Sequence, residues 1–467
     1  MTVTSPSLVT PRVTPPLDPG FRPAVLANRA FRKAVAASGD ATRIRIGLVR
    51  PGGAISTYET TIYDDASPHA EANFQHVERL VKFLLWQRGA SSVHITGSAK
   101  VAAHLQQVYS DEGARAFDVD FMTRVYETPF TIELVESVPD SKEPTVELGR
   151  HLEGNRIGFD LGASDYKISA VVDGQSVYSD EFPWMPRDAT ELAYHYDRIT
   201  EGLHKAAEYL PSVDAIGGSS AGVWIDDRVR VASLFRGLSR QEFDDAATNL
   251  FVRIRDEWQV PLNVVNDGEV TALAGSMSLG RNGVLGVAMG SSEAVGYVTR
   301  EGTITRWLNE LAFAPFDYQE DAPADEWSGD VGCGVQYFCQ TGVIRLAAKA
   351  GIELDPGSTP AQKLVKVQEL MVAGDERVPP IYETIGVWFG YALAHYAEFY
   401  DIDHVLVLGR VTSGRGGEII VDQARTILAL QFPELNMELH VPDEHMKRVG
   451  QSVAAASLPQ IEEGSQQ

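Results

Sequence analysis

Short β-branched runs bounded by glycine and polar turns alternate along this chain with longer segments whose apolar positions recur every three or four residues. That alternation predicts strands interleaved with helices. Residues 157–172, IGFDLGASDYKISAVV, place a small-residue turn between two apolar runs and predict a hairpin. Asp160 leaves its first strand and Lys167 lies on its second. Residues 284–298, VLGVAMGSSEAVGYV, predict another strand–turn–strand with Gly290, Ser291 and Ser292 at the tip. Residues 263–274, NVVNDGEVTALA, read as an apolar strand ending at Asn266 and Asp267, then an alanine-rich helix start. Residues 404–419, HVLVLGRVTSGRGGEI, read as a buried strand, a glycine-rich turn and a helix start. Helical periodicity also runs through 349–368 and 382–400.

The first 150 residues carry a different set. Residues 43–63 alternate as a hairpin around Pro51, Gly52 and Gly53. An amphipathic helix is expected over 76–88, a short strand over 91–96, a helix near 100–109 and two further strands within 117–135. The Pro/Thr-rich residues 1–25 read as a disordered or extended arm. Hairpin, helix, strand and small-residue turn recur in the same order at 156–222, with RIRIGLVRPGGAIS parallel to RIGFDLGASDYKIS. The first segment is then a possible degenerate half-repeat of the second.

Composition narrows the class. With 44% hydrophobic and 22% charged residues, the 467-residue chain can bury a large core and build more than one domain. The first 150 residues are close to neutral, so nearly all of the formal charge of −24 lies beyond them. Such a surface repels nucleic acid. Two cysteines indicate a reducing compartment rather than a disulfide framework. The N-terminus has neither a basic start nor an apolar stretch, and no window approaches about 18 apolar residues. A soluble cytoplasmic protein is expected.

A carboxylate beside turn amides is one way to hold a metal-bound polyphosphate, and Asp160 with its turn fits that chemistry. Asp267 sits where ligands of α/β sheets gather, at the C-terminal end of a strand. There it either accepts a proton from a hydroxyl or caps its helix.

Together these segments, in this order, resemble the ROK family (repressors, open reading frames and kinases) of the actin, hexokinase and heat-shock ATPase superfamily. The resemblance covers roughly residues 155–458. It sets IGFDLGASDYK on the first phosphate loop, VNDGEVTALAG on the NDxxxxALG segment, GVAMGSSEAVGYV on the second phosphate loop and LVLGRVTSGRGG on the adenosine loop. Residues 214–230 look like the strand-then-GxPGxVD stretch, with Ala221 where Pro is usual. The resemblance implies two ribonuclease-H-like (actin-like ATPase) lobes around a central cleft, preceded here by an extra N-terminal α/β domain.

It further implies an ATP- and Mg²⁺-dependent kinase acting on a hydroxyl of a sugar or polyol. Asp267 would be the base, and Asn266 and Glu310 would bind the substrate. Asp160 would face Mg²⁺ through water. Gly162, Ala163, Ser164 and Lys167, then Gly290, Ser291 and Ser292, then Gly409, Thr412, Ser413 and Gly414, would bind the nucleotide. A homodimer is implied too. The alternative is a non-catalytic regulator of the same fold that binds a sugar or nucleotide.

Departures from the family pattern accompany these matches. Phe313 replaces the His of ExGH, where Glu310 is the Glu. Glu293 stands inside the second phosphate loop. It either faces the metal or a substrate hydroxyl, or nucleotide binding is altered. Only Cys333 and Cys339 lie near the family's zinc motif, so no zinc site is expected and both read as buried thiols. Trp307, Phe313, Phe316, Trp327, Tyr337 and Phe338 are left to pack that lobe. The acidic stretch 317–330 reads as a solvated loop or a lid pivoting at Pro323 and Gly329. His195, His204, His395 and His404 show no metal spacing. ROK repressors carry a helix-turn-helix ahead of the sugar-binding part. Here a strand-like VHIT interrupts 76–116, and AKVAAHLQQVYS offers one Lys and no Arg for DNA. The divisions expected are an arm (1–25), an N-terminal α/β domain (26–150), a first lobe (151–280), a second lobe (281–458) and a flexible tail (459–467).

Overall fold

A computed structural model describes residues 8–143, 145–146, 149–162, 164–442 and 444–461. Elements run in chain order as α1 (Ala24–Ser38), β1 (Ala41–Arg50), β2 (Ala54–Tyr63), α2 (Ala72–Arg88), β3 (Ser92–Ile95), α3 (Ala99–Val108), α4 (Ala116–Tyr126), β4 (Thr131–Leu134) and β5 (Thr145–Val146). The next group is β6 (Asn155–Leu161), β7 (Asp165–Val172), β8 (Gln175–Pro183), α5 (Leu192–Ala207), β9 (Ala215–Ser220), β10 (Val223–Ile225), β11 (Arg228–Val231), α6 (Arg240–Asp245), α7 (Leu250–Trp258), β12 (Leu262–Asn266) and α8 (Asp267–Leu279). Last come β13 (Val284–Met289), β14 (Glu293–Val298), β15 (Ile304–Thr305), α9 (Gln340–Lys349), α10 (Pro360–Val372), α11 (Pro379–Tyr396), β16 (His404–Leu408), α12 (Arg415–Gln431), β17 (Glu438–His440) and α13 (Glu444–Ala456).

Two sheets share one plan. The first has the order β12-β9-β6-β7-β8, the second β17-β16-β13-β14-β15 with β5 added at its edge. In each, the first three strands named are parallel and the next two return antiparallel. These are two ribonuclease-H-like lobes of the α/β class. Because the plan is shared, hairpins β6–β7 and β13–β14 are equivalent, as are the turns after β9 and β16.

The lobes meet through two helices. The first three turns of α8 are buried nearly all round, which suits a helix packed on several sides. Gly268 lies against the backbone of Val295 on β14, and Gly296 against that of Gly268, leaving no room for a Cβ at either glycine. α13 closes the second lobe in sequence yet packs on the first. Gly158 on β6 and Gly217 on β9 let the α13 backbone approach at Ser452 and Ala455. Arg156 donates to the carbonyl of Pro459 at 2.7 Å.

The N-terminal sheet has the order β2-β1-β3-β4. Its β3 is antiparallel to β1, whereas the matching β9 is parallel to β6. The half-repeat relation therefore does not hold. The first lobe turns through three meander strands before its crossover and this unit through two, which reverses the direction of the next strand. One of the two strands expected within 117–135 is instead helix α4. Phe121, Met122 and Val125 lie on its buried face, a spacing of one and three residues that belongs to a helix rather than a strand. The periodic stretch 349–368 is broken into α9 and α10 at Gly351, whose φ is +71°.

Nor is the described part of the arm loose. Leu17 N–H donates to Thr384 Oγ1 on α11 at 3.1 Å, Asp18 accepts from Lys349 and Trp388, and Phe21 is fully buried. The N-terminal unit and the second lobe share one continuous apolar core. Among the described residues no helix is long and apolar enough to cross a membrane.

The acidic stretch is half packed: Glu320, Asp321 and Glu326 are exposed, but the other three acids are not. Asp317, Asp325 and Asp330 are all buried. Arg79 of α2 holds both carboxylate oxygens of Asp330 at 3.0 and 3.1 Å, Lys82 lies at 3.1 Å and Arg115 at 2.7 Å. Burial alone would raise the Asp330 pKa, but Arg79 and Lys82 hold it below the usual carboxylate range. Removing one partner from a buried charge network strands the others. Asp330→Asn should therefore lower unfolding stability by about 3–5 kcal/mol in urea denaturation, with Asp321→Asn on the exposed surface as the neutral control.

Candidate functional site

Parallel strands β6, β9 and β12 end at one edge of the first sheet, and β13 and β16 at one edge of the second. Asp160, near the end of β6, lies opposite Lys167 across the hairpin and beside Ser219 on β9. Ser219 Oγ donates to its carboxylate at 2.6 Å. Burial raises the Asp160 pKa, with Ser219 and Lys167 opposing and Asp165 and Glu181 adding to the rise. In the turn, Gly162 N–H donates to Asp165 O at 3.0 Å, and the Trp184 indole donates to Gly162 O at 2.8 Å. Ser164 Oγ donates to Asp165 Oδ2 at 2.7 Å. Ala163 lies outside the described residues.

At the junction of β12 and α8, Asn266 is the helix cap. Its Oδ1 accepts from Gly268 N–H at 2.7 Å, while its Nδ2 donates to Gly222 O at 2.8 Å and to Glu310 Oε1 at 3.4 Å. Asp267 takes a share of the Gly268 N–H, at 3.0 Å, and stays only half-buried. Burial first, then the neighbouring Asp160, pushes its pKa up to about 6. Burial and Asp267 push Glu310 up to about 8. The structure thus brings Asp160, Asn266, Asp267 and Glu310 together.

The second hairpin presents Ser291 and Ser292 to solvent at its tip, and Gly290 N–H donates to Ser292 O at 2.9 Å. Glu293 turns away from that tip into the interior. Its Oε2 sits where a Cβ on Gly334 would lie and has no hydrogen-bond partner, and its Oε1 accepts from Tyr396 OH at 3.4 Å. The carboxylate therefore points into the interior rather than out at the hairpin tip. As the first residue of β14, paired with buried Met289, it takes the inward side of the pleat. Burial pushes its pKa up to about 8.

The glycine-rich turn after β16 abuts this hairpin, because Gly409 (φ +105°) lies against the Met289 backbone. Thr412 is buried and donates to Gly409 O at 2.9 Å, a bond that closes the loop. Ser413 and Gly414 are exposed. Arg410, which the sequence reading missed, spans the cleft to Asp165 Oδ2 at 3.5 Å. Ser219 and Glu269 were missed as well. Ser219 becomes visible only through its strand register with Asp160. Glu269, in the first turn of α8, is buried and pushed up to about 8, by burial first and also by Glu310.

The N-terminal unit reaches this site directly. The carbonyls of Trp86 and Gln87, in the last turn of α2, accept from the N–H groups of Glu310 and Asn309, each at 2.9 Å. Phe313 packs on Trp86 at 4.5 Å between ring centroids and lies 6.2 Å from the half-exposed Trp327. Of the other aromatics expected to pack this lobe, Phe316, Tyr337 and Phe338 are buried. Both cysteines are buried with raised pKa values, chiefly from burial. Cys339 caps α9 by accepting from Thr341 N–H.

This is the fold of the ROK proteins. Its arrangement is similar to a ROK family glucokinase from Streptomyces griseus, solved with glucose and AMPPNP, at a TM-score of 0.50 and 18% identity, over 66% of this chain and 99% of that one. It is similar to the ROK hexokinase from Thermus thermophilus at 0.50 and 16%, over 64% and 97%. A ROK family transcriptional regulator, a homolog of the E. coli MLC protein, aligns at 0.52 and 14%, over 66% and 78%. No protein-family profile matches the sequence, and no curated protein matches it significantly.

Glu293 supplies a prediction. A carboxyl whose folded pKa is raised contributes stability below its unfolded pKa and loses it as pH rises through the folded value. Between about pH 5 and 8 the wild type should therefore lose stability relative to Glu293→Gln. Thermal midpoints across that range should show a gap that widens with pH, and a constant gap would contradict the assignment.

Proposed function

We propose that this protein is a carbohydrate kinase transferring the γ-phosphoryl group of ATP to a hydroxyl of a sugar or polyol. The observation that carries the reading is the half-buried Asp267, its pKa lifted to about 6, beside Asp160 and next in sequence to the Asn266–Glu310 pair. A base needs a pKa near its working pH and a place next to the acceptor hydroxyl. In the reaction, the hydroxyl oxygen bonds to the γ-phosphorus while the bond to the bridging oxygen of ADP breaks. The hydroxyl proton passes to Asp267. Asn266 and Glu310 orient neighbouring hydroxyls. Two neighbouring carboxylates, with Lys167 the one cation among the groups that shift them, form a donor set suited to a hydrated Mg²⁺. Asp160 would hold that ion through water, and the ion would neutralise phosphate charge. The exposed tips at Ser164, Ser291–Ser292 and Ser413–Gly414 flank the nucleotide.

Phe313 and Trp327 offer an aromatic wall where a sugar's apolar face can rest. The likeness to a regulator supports the non-catalytic alternative equally at the level of fold, so activity must decide.

A panel of hexoses, amino sugars and cyclitols with ATP and Mg²⁺ is the direct test, and the absence of ADP release with every acceptor would end the kinase reading. With an active acceptor, Asp267→Asn should lower kcat by several orders of magnitude while nucleotide binding persists. Since the base works only when ionised, wild-type kcat/KM should climb through about pH 6 and level off above it. Trp327→Ala should raise KM several-fold with kcat nearly unchanged.

A further inference from the structure

His404 opens β16, and Glu438 and His440 stand two residues apart on the edge strand β17. The strands are parallel with His404 opposite Glu438 and Leu406 opposite His440, so all three side chains leave one face. His404 Nδ1 lies 3.2 Å from His440 Nε2. Glu438 Oε2 lies 3.6 Å from the first nitrogen and 3.7 Å from the second. A tetrahedral ion with bonds of about 2.0–2.2 Å separates neighbouring donor atoms by about 3.3–3.6 Å. The three atoms therefore already surround a space of the right size. A simple imidazole–imidazole hydrogen bond accounts for the 3.2 Å separation. It does not account for a carboxylate oxygen nearly equidistant from both nitrogens.

We propose that His404, Glu438 and His440 form a binding site for a zinc-class divalent cation, with water completing the coordination. Two imidazoles and one carboxylate select Zn²⁺, Co²⁺ or Ni²⁺ over Mg²⁺. The side chains of His404 and His440 are mostly buried while Glu438 is open, which leaves solvent room for the remaining ligand. Arg425 is the opposing positive charge, but its guanidinium is committed to Leu439 O at 2.7 Å and Asp422 at 3.2 Å. The site lies at the end of β16 remote from Gly409, so it serves stability rather than phosphoryl transfer. An ion there fastens the three-residue edge strand β17 to its one neighbour.

Chelator-treated full-length protein, titrated calorimetrically with ZnCl₂ in the presence of Mg²⁺, tests this. One equivalent per chain should bind and raise the thermal midpoint. Glu438→Gln should weaken binding at least about tenfold, and His404→Gln/His440→Gln should abolish it. Co²⁺ on the wild type should give the intense visible bands of a tetrahedral site, a readout that needs no variant. No zinc uptake, the same affinity in the double variant, or only the weak bands of octahedral Co²⁺ would each overturn the proposal.

Discussion

The arrangement of the cleft rests on a backbone contact. The first turn of α8 touches β14 where Gly268 and Gly296 each lack a side chain, and neither tolerates a Cβ. That contact brings Asp267, delivered by the first lobe, against the hairpin of the second. It also excludes water from the junction, which is why carboxyls around it are shifted upward. Burial is the largest cause for Asp267, Glu269, Glu293 and Glu310 alike. The site is thus a region of low polarisability in which several acids compete to remain neutral. An arriving cation or a hydroxyl network relieves that competition, so binding and ionisation are coupled there.

Much of the two-lobed part was legible because each site segment carries its own local signal. Asp160 lies beside a small-residue turn, Asn266–Asp267 at a strand end, Gly290 at a hairpin tip and Gly409 after a buried strand. What escaped depends on contacts between distant segments. Ser219 matters only through its register with Asp160, and Arg410 only through the cleft it crosses. The inward direction of Glu293 was hidden because strand alternation, not residue type, decides it, and a one-residue change of phase reverses it. The acidic stretch looked solvated because its cationic partners Arg79, Lys82 and Arg115 lie more than two hundred residues away. Strand direction in the N-terminal sheet was equally hidden, since order along the chain does not reveal pairing sense.

The N-terminal unit is not an appendage. It shares apolar core with the second lobe, neutralises Asp330 and accepts hydrogen bonds from the backbone on which Glu310 is carried. Asp330 stands three residues before Cys333, in the stretch where the family resemblance implied zinc. Side-chain cations from α2 and the segment before α4 organise that stretch here. The second lobe is in this sense completed by residues that precede both lobes in the chain.

The two carbonyls at the end of α2 carry a consequence for how this polypeptide can be divided. A shortened chain beginning near residue 150 would leave the amides of Asn309 and Glu310 without acceptors and strip Phe313 of its indole neighbour. The two-lobed region is thus tied to α2 at Asn309 and Glu310 through peptide groups rather than through flexible side chains.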